Sequence, residues 1–191
     1  MAGSFDEAEF RSRSDANRTM AVPFAGTCYR SVRPKFASAA KFLSPDGSVF
    51  TGGRYNHRGT LALLYLSCDT HTCVEEVTKS FSRSGLVAAQ SLPRMIIAVD
   101  VHLSRVLDLT SALTRRTIGV TKALLTETDW EHEQEVLKRE AATQVIGRVA
   151  RDLGFEAILA PSAVFTGTNL NIFTDRLDAS SRLELINPDQ L

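Results

Sequence analysis

The segment TGGRYNHRGTLALLYLSCDTHTCVEEVTKSF, residues 51–81, determines the fold that we expect for the chain. Gly52 and Gly53 form a flexible pair before Arg54, and glycines permit backbone torsions and close approaches that other residues do not. The apolar run at 61–67 predicts a strand, and because both of its faces are largely apolar the strand should be central in its sheet. A helix is expected to begin at residue 69 or 70.

The phase of this helix distinguishes two adjacent glutamates. Successive helical residues are about 100° apart, which places a mainly apolar group on one side, namely Cys73, Val74, Val77 and Phe81. Glu76 lies at the edge of that side, whereas Glu75 points to solvent. Glu76 is therefore suited to a half-buried cleft, where a carboxylate can bind a ribose hydroxyl and stabilise positive charge as a glycosidic bond breaks. A solvated charge on the helix surface is the alternative.

Arg54 and Tyr65 each allow two interpretations. A guanidinium forms paired, charge-assisted hydrogen bonds with phosphate oxygens, so Arg54 after two glycines suits a phosphate, although a solvated arginine in a hairpin loop has the same pattern. Tyr65, in the predicted strand, is either a core aromatic or a ring that packs on a nicotinamide or a ribose. The chain contains neither a Walker loop nor a GxGxxG motif.

The rest of the chain supplies strands and helices in no regular βαβ order, which predicts a single α+β domain. The predicted strands are 27–32, 61–67, 95–101, 105–109, 155–160, 169–173 and 182–186. We further expect a short helix at 38–43, a turn at 45–47, a loop from Gly85, a helix capped by Thr110 or Ser111 that runs to 118, and a long helix at 130–153 that ends at Gly154. Residues 1–24 form either a short helix anchored by Phe5, Ala8 and Phe10 or a flexible arm.

The composition argues against several classes of function. The 191 residues include 22 Lys and Arg and 22 Asp and Glu, and a net charge of zero argues against nucleic acid as a direct partner. No apolar run is long enough to cross a bilayer and the N-terminus lacks a signal-peptide core, which predicts a cytoplasmic protein without a membrane partner. Cys68, His71 and Cys73 lack a second ligand pair for zinc, so we expect no metal site. Ser162 stands in PSA and not in the GxSxG motif of serine hydrolases.

Taken together, these motifs resemble the RES-domain family. The residues that carry the resemblance are, in chain order, Tyr29-Arg30, Gly52-Gly53-Arg54-Tyr55-Asn56, Tyr65-Leu66-Ser67, Glu76 and Pro161-Ser162. On this basis we assign residues 25–191 to a RES domain.

The resemblance implies a fold like that of ADP-ribosyltransferases, in which a split β-sheet core clasps NAD+ and helices surround it. It implies a toxin that cleaves the nicotinamide–ribose bond of NAD+ by hydrolysis or phosphorolysis and arrests bacterial growth unless an Xre-type helix-turn-helix antitoxin neutralises it. The alternative that it implies is a protein ADP-ribosyltransferase. NAD+ is then the substrate and inorganic phosphate a co-substrate of the phosphorolytic route, with no prosthetic group, and a homo-oligomer stays open.

The resemblance also implies roles for single residues. The catalytic residues would be Arg54, Tyr65, Glu76 and Ser162, and the NAD+-binding residues would be Arg30, Gly53, Arg54, Tyr55, Asn56 and Tyr65. The two arginines would hold the pyrophosphate or an incoming phosphate, and Tyr65 would pack on the nicotinamide side. Glu76 would position the ribose and stabilise an oxocarbenium-like transition state, and Ser162 would hydrogen-bond the nicotinamide or the phosphate.

Overall fold

The structure is a computed structural model that describes residues 5–36, 38–83 and 92–187. Its strands are β1 Val22–Val32, β2 Leu64–Ser67, β3 Met95–Asp108, β4 Ala157–Pro161, β5 Thr168–Ile172 and β6 Arg182–Leu185. Its α-helices are α1 Glu7–Ala16, α2 Ala39–Phe42, α3 Asp46–Thr51, α4 Thr70–Arg83, α5 Ala112–Ile118, α6 Lys122–Glu127, α7 Trp130–Glu135 and α8 Ala142–Asp152. The mixture confirms the predicted α+β class, and the loop predicted from Gly85 lies outside the described residues.

All six strands belong to one sheet that closes on itself. The strand order is β1-β2-β5-β4-β3-β6, and β1 also pairs with β3. The two long strands allow this closure, because β3 pairs with β1 from Met95 to Val106 and with β4 from Val106 to Asp108. The expected split of the sheet is therefore wrong: backbone hydrogen bonds run continuously around the ring.

The closed sheet separates two apolar clusters. One contains inward-facing residues of the strands, among them Leu64, Leu66, Val99 and Leu170. The other is formed where α1, α5, α6 and α8 pack on the opposite side of the sheet, and it includes Phe10, Ile118, Leu125 and Ile146. β2 lies between β1 and β5, which confirms that it is central.

The N-terminal segment packs on the domain as a helix. Phe10 of α1 is only 2% exposed, and Arg148 of α8 forms paired hydrogen bonds with Glu7 (3.0 Å each) and an ion pair with Glu140 (2.7 Å). Of the two alternatives for residues 1–24, the structure has the short helix, at residues 7–16. The apolar anchor and the Arg148 pairs offset the entropy lost on ordering the segment.

Several predicted elements have different bounds. The strands expected at 95–101 and 105–109 are one strand, β3, because β1 pairs with it up to Leu103 and again, after a β-bulge, at Val106. The turn expected at 45–47 begins helix α3, and β2 begins at Leu64 rather than at 61. Within α4, Val74 is 46% exposed although its phase predicted burial, and the side chain of Phe81 lies outside the described residues.

The helix predicted at 130–153 is two helices, α7 and α8. Lys138 between them has a φ of 52°, and Ala141 is extended and donates its N–H to the Gln144 side chain (3.0 Å). The side-chain amide of Gln144 also donates to Gln134 (3.2 Å). In one straight helix these residues would be about 15 Å apart along the axis, so the break is what brings the two glutamines together.

Candidate active site

A cleft of about 360 Å³ opens on one face of the sheet. Its floor consists of alternate residues from three adjacent strands, which point to the same face because side chains alternate along a strand. Tyr29 lies opposite Ser67, Ser67 opposite Asn169, and Tyr65 opposite Asn171. The register therefore collects hydroxyl and amide groups in one place, although the residues are far apart in the chain.

Glu76 forms one wall of the cleft from the second turn of α4. Asp69 caps this helix by accepting hydrogen bonds from the N–H (2.7 Å) and hydroxyl (2.6 Å) of Thr72. Glu76 is half-buried and Glu75 is exposed, so the helical phase distinguished them correctly. Glu76 Oε1 accepts hydrogen bonds from Ser162 Oγ (2.8 Å) and Asn169 Nδ2 (2.5 Å). The two donors hold the carboxylate at the edge of the cleft.

Ser162 lies behind Glu76. Its hydroxyl is buried, donates to Glu76, and accepts hydrogen bonds from the N–H groups of Val164 and Phe165 (3.1 Å each). The cleft wall next to it is lined instead by Pro161, Ala163 and Val164. Ser162 thus contacts the carboxylate and not the cleft, which favours a positioning role over the ligand contact that we expected.

Arg54 reaches the cleft from the loop after α3. Its Nη1 donates to the carbonyl oxygens of Leu125 (3.1 Å) and Thr128 (2.9 Å), so the end of α6 holds the guanidinium in place. Arg54 also borders a second cavity, whose other walls carry four acidic residues, Glu127, Asp129, Glu131 and Glu135. The first cleft carries four basic residues, Arg30, Arg54, Lys79 and Arg94, and two acidic ones, Glu76 and Glu131. An anionic ligand therefore fits the first cavity better.

Arg30 lines the same cleft from β1. Its Nη1 donates to the carbonyl oxygens of Phe42 (2.6 Å) and Ser44 (2.9 Å), and burial lowers the pKa of the guanidinium. The structure thus brings Arg30, Arg54, Tyr65 and Glu76 to one cavity.

The hydroxyl of Tyr65 belongs to a buried network under the Arg54 loop. It donates to Asn56 Oδ1 (2.8 Å) and accepts from the N–H of Tyr55 (3.1 Å), and burial raises its pKa. Asn56 is fully buried, and its amide also donates to the carbonyls of Ser48 (2.8 Å) and Leu61 (3.1 Å). Asn56 holds the loop and does not line the cleft, so the expected contact with NAD+ is not supported by its position. The ring of Tyr65, in contrast, lines the cleft beside Gly53 and Tyr55.

The glycine pair has a packing reason that the sequence did not reveal. A Cβ atom on Gly53 would overlap the Tyr65 hydroxyl, and one on Gly52, where φ is 72°, would overlap the side chain of Gln134. Gln144, fully buried in α8, donates to the Gly53 carbonyl (3.1 Å). The pair therefore lets the loop pack closely on its supports, rather than mainly allowing a ligand to approach.

Several residues of the cleft were missed by sequence reasoning. Asn169 and Asn171 had a signal, since Asn-Leu-Asn in a predicted strand places two amides on one face. Arg94, which donates to the Ser31 hydroxyl (2.6 Å), and Trp130 had none, because loops and another helix bring them to the cleft.

Three further observations concern metals, thiols and membranes. Within the described residues, no group of three or more His, Cys, Asp or Glu side chains is arranged to hold a metal ion. Cys68 directly follows β2, and hydrogen bonding with Cys28 of β1 lowers the pKa of the Cys68 thiol. No helix in the described part of the chain combines the length and apolar character needed to span a bilayer.

The fold and the cleft define a class of protein: a closed α+β domain with one hydrogen-bonded glutamate facing several arginines. Comparison with known proteins identifies that class, because the chain belongs to the RES domain family, whose model matches residues 27–189. This confirms the family predicted from the motifs.

The chain is similar to proteins from mycobacteria. The NAD(+) phosphorylase MbcT of Mycobacterium tuberculosis (strain ATCC 25618 / H37Rv) is 25% identical over 178 residues, which cover 92% of this chain and 87% of MbcT. MbcT of Mycobacterium bovis gives the same values. The crystal structure of the M. tuberculosis MbcT-MbcA toxin-antitoxin complex matches with a TM-score of 0.71 and 22% identity, over 95% of this chain and 94% of that one. At that identity the structural likeness shows a shared fold.

Proposed function

We propose that this protein is a toxin that cleaves the nicotinamide–ribose bond of NAD+, with inorganic phosphate as the preferred acceptor and water as the alternative. The observation that carries the proposal is the geometry of Glu76, whose Oε1 is held by Ser162 and Asn169 at the edge of a cleft lined by arginines. Membership of the RES family and the name of the MbcT relatives, NAD(+) phosphorylase, support the same reaction.

The chemistry requires little beyond orientation and charge. As the ribose C1–nitrogen bond breaks, its electron pair neutralises the positive nicotinamide ring and positive charge develops on the ribose. The Glu76 carboxylate would stabilise that charge and orient the ribose hydroxyls. A phosphate oxygen then forms the new bond to C1, which gives ADP-ribose phosphate and free nicotinamide. With water as acceptor, the products are ADP-ribose, nicotinamide and a proton.

The remaining residues would bind and orient the dinucleotide. Arg30 and Arg54 would hold the pyrophosphate or the incoming phosphate through charge-assisted hydrogen bonds. The Tyr65 ring would pack on the nicotinamide side, with Gly53 and Tyr55 forming the adjacent wall. Ser162 would act through Glu76. This arrangement would hold NAD+ as the clasp of ADP-ribosyltransferases does. We therefore also propose that the fold of this protein is similar to theirs.

The same relatives also suggest a protein partner. Because a structural neighbour is a toxin-antitoxin complex, we extend the proposal to a protein antitoxin, of the Xre-type helix-turn-helix class that the family resemblance implies. With zero net charge on the toxin, DNA binding in such a complex would belong to the antitoxin. NAD+ consumption would place its action in the cytoplasm, and self-association is a further property to measure.

One assay tests the reaction. Purified protein is incubated with NAD+ in buffers that contain or lack inorganic phosphate, and nicotinamide and the phosphorylated or free ADP-ribose are quantified. We expect nicotinamide release that is faster with phosphate and yields ADP-ribose phosphate. Label from NAD+ that appears on a protein would instead support ADP-ribosyl transfer, and no NAD+ loss in either buffer would refute the proposal.

A further inference from the structure

Trp130 occupies a position in the cleft that the proposed reaction does not use. It is the one tryptophan of the chain and the first residue of α7, directly after the helix cap Asp129, which accepts a hydrogen bond from the N–H of His132 (3.0 Å). The indole is half-buried and lines the cleft. Within the described residues the indole makes no hydrogen bond to another side chain or to the backbone, so its N–H is not committed to the fold.

A chain of contacts links Glu76 to Trp130 through residues that line the cleft, and Trp130 is its last member. Glu76 is bonded to Asn169, and Asn171, opposite Tyr65, is two residues or about 7 Å further along β5. The Tyr65 hydroxyl accepts a hydrogen bond from the N–H of Tyr55. Arg54, which directly precedes Tyr55, donates to the carbonyl oxygen of Thr128, and Trp130 follows Thr128 by two residues.

This order matches the order of groups in an extended dinucleotide. The ribose that loses nicotinamide lies at Glu76 in the proposed function, and the pyrophosphate suits the arginines in the middle of the cleft. The adenine ring, which is flat and uncharged, comes at the far end from the scissile bond. Tryptophan is well suited to such a ring because it offers a large, rigid face at little cost in conformational entropy.

We propose that Trp130 forms the adenine subsite of this cleft by stacking its indole on the base. The proposal rests on the proposed function for the identity of the dinucleotide, but not for the stacking itself. It separates the cleft into a reacting end at Glu76 and a binding end at Trp130, joined by Arg54.

The single tryptophan allows a direct binding measurement. Indole fluorescence of the wild-type protein is recorded while AMP or ribose 5-phosphate is added, since the two share the phosphate and differ in the base. Nicotinamide mononucleotide is titrated into the Glu76→Gln variant, where turnover is blocked. We expect saturable quenching by AMP and none by ribose 5-phosphate or nicotinamide mononucleotide.

Kinetics give an independent readout. Loss of a stacked base costs about 1–3 kcal/mol, so Trp130→Ala should raise the KM for NAD+ roughly 5- to 150-fold, with kcat changed less than about 3-fold. Trp130→Phe should recover most of the affinity. The matched control is Phe50→Ala, because Phe50 is an aromatic residue that is 76% exposed and lines neither cavity.

The outcomes separate this proposal from the proposed function. If NAD+ is cleaved but AMP does not quench and Trp130→Ala keeps the wild-type KM, the adenine subsite is refuted and the function stands. If AMP quenches but no NAD+ is cleaved, the subsite stands and the function fails. Quenching by nicotinamide mononucleotide in place of AMP would reverse the orientation and overturn the proposal.

Discussion

Glu156 and Glu76 differ in burial and in the number of hydrogen bonds that they accept. The difference distinguishes a carboxylate that stabilises the fold from one that is suited to bind a ligand. Glu156, directly before β4, is fully buried and accepts five hydrogen bonds, which are shared between both of its carboxylate oxygens. Glu76 is half-buried and accepts two, both at Oε1. Among the described residues no hydrogen bond to Glu76 Oε2 is found.

The origin of the hydrogen-bond donors indicates the role of each carboxylate. The donors to Glu156 come from β3, at Ser104 and Arg105, and from the loop before β6, at Asp178 and Ser181, so this side chain joins two parts of the sheet. The donors to Glu76 both reach Oε1, and the side chain that carries the other oxygen lines the cleft. A fully satisfied carboxylate stabilises structure, whereas one that is held at a single oxygen is oriented for a ligand.

The largest expected effect is a loss of NAD+ cleavage on substitution of Glu76. Glu76→Gln removes the negative charge but keeps an oxygen that can accept from Ser162 and Asn169. We expect kcat for NAD+ cleavage to fall about 1000-fold, as for the loss of one electrostatic group aimed at the transition state, while the free energy of unfolding changes by less than about 1 kcal/mol. The measurement is nicotinamide release together with a denaturant titration.

The matched control is Glu75→Gln on the same helix. Glu75 is exposed, so this variant removes the same charge one residue away and should retain wild-type activity. Equal losses in both variants would mean that the effect comes from the charge of the helix and not from the cleft.

The next effect is on stability. Glu156→Gln replaces an acceptor oxygen by an amide that faces donors, and we expect it to lower the free energy of unfolding by about 3 kcal/mol at pH 7. Activity per folded molecule should stay near that of the wild type, because Glu156 does not line the cleft. An unchanged free energy of unfolding would contradict the role given to the five hydrogen bonds.

The contribution of Glu156 to the free energy of unfolding should depend on pH. Burial raises the pKa of Glu156, but the hydrogen bonds outweigh it, beginning with that from Ser181, and lower the pKa from 4.5 to about 2. Because the folded pKa is depressed, the stabilisation is complete above the unfolded value of 4.5 and is lost as pH falls toward 2. The difference between wild type and Glu156→Gln should therefore shrink from about 3 kcal/mol to near zero across that range.

The contrast also shows what could be predicted from the sequence. The phase of α4 distinguished Glu76 from Glu75 because both the helix and its apolar side are local features. The central position of β2 followed from its two apolar faces. Glu156 had no comparable signal, because its five donors come from segments that meet only when the sheet closes.

The support of the Arg54 loop was missed for the same reason. Gln134 and Gln144 appeared to lie on one long helix, where their side chains would be far apart, but the break at Lys138 lets both of them bond to the loop. Asn56 was expected in the cleft because it lies in the motif, yet its amide satisfies backbone carbonyls under the loop. Motif membership thus indicated the right region without distinguishing residues that face the ligand from residues that hold the others in place.

The smallest expected effect tests whether Ser162 acts through Glu76. Ser162→Ala removes one of the two donors to Oε1 and leaves Asn169, so we expect kcat to fall about 10-fold, near the 1–1.5 kcal/mol of one hydrogen bond, with the KM for NAD+ little changed. Ser162→Thr, which retains the hydroxyl, should recover part of the rate. Introduced into Glu76→Gln, Ser162→Ala should cause almost no further loss, because residues that act as one unit are not additive. If the two losses multiply instead, Ser162 contributes independently, and the contact with nicotinamide or phosphate expected from the sequence would be the better account.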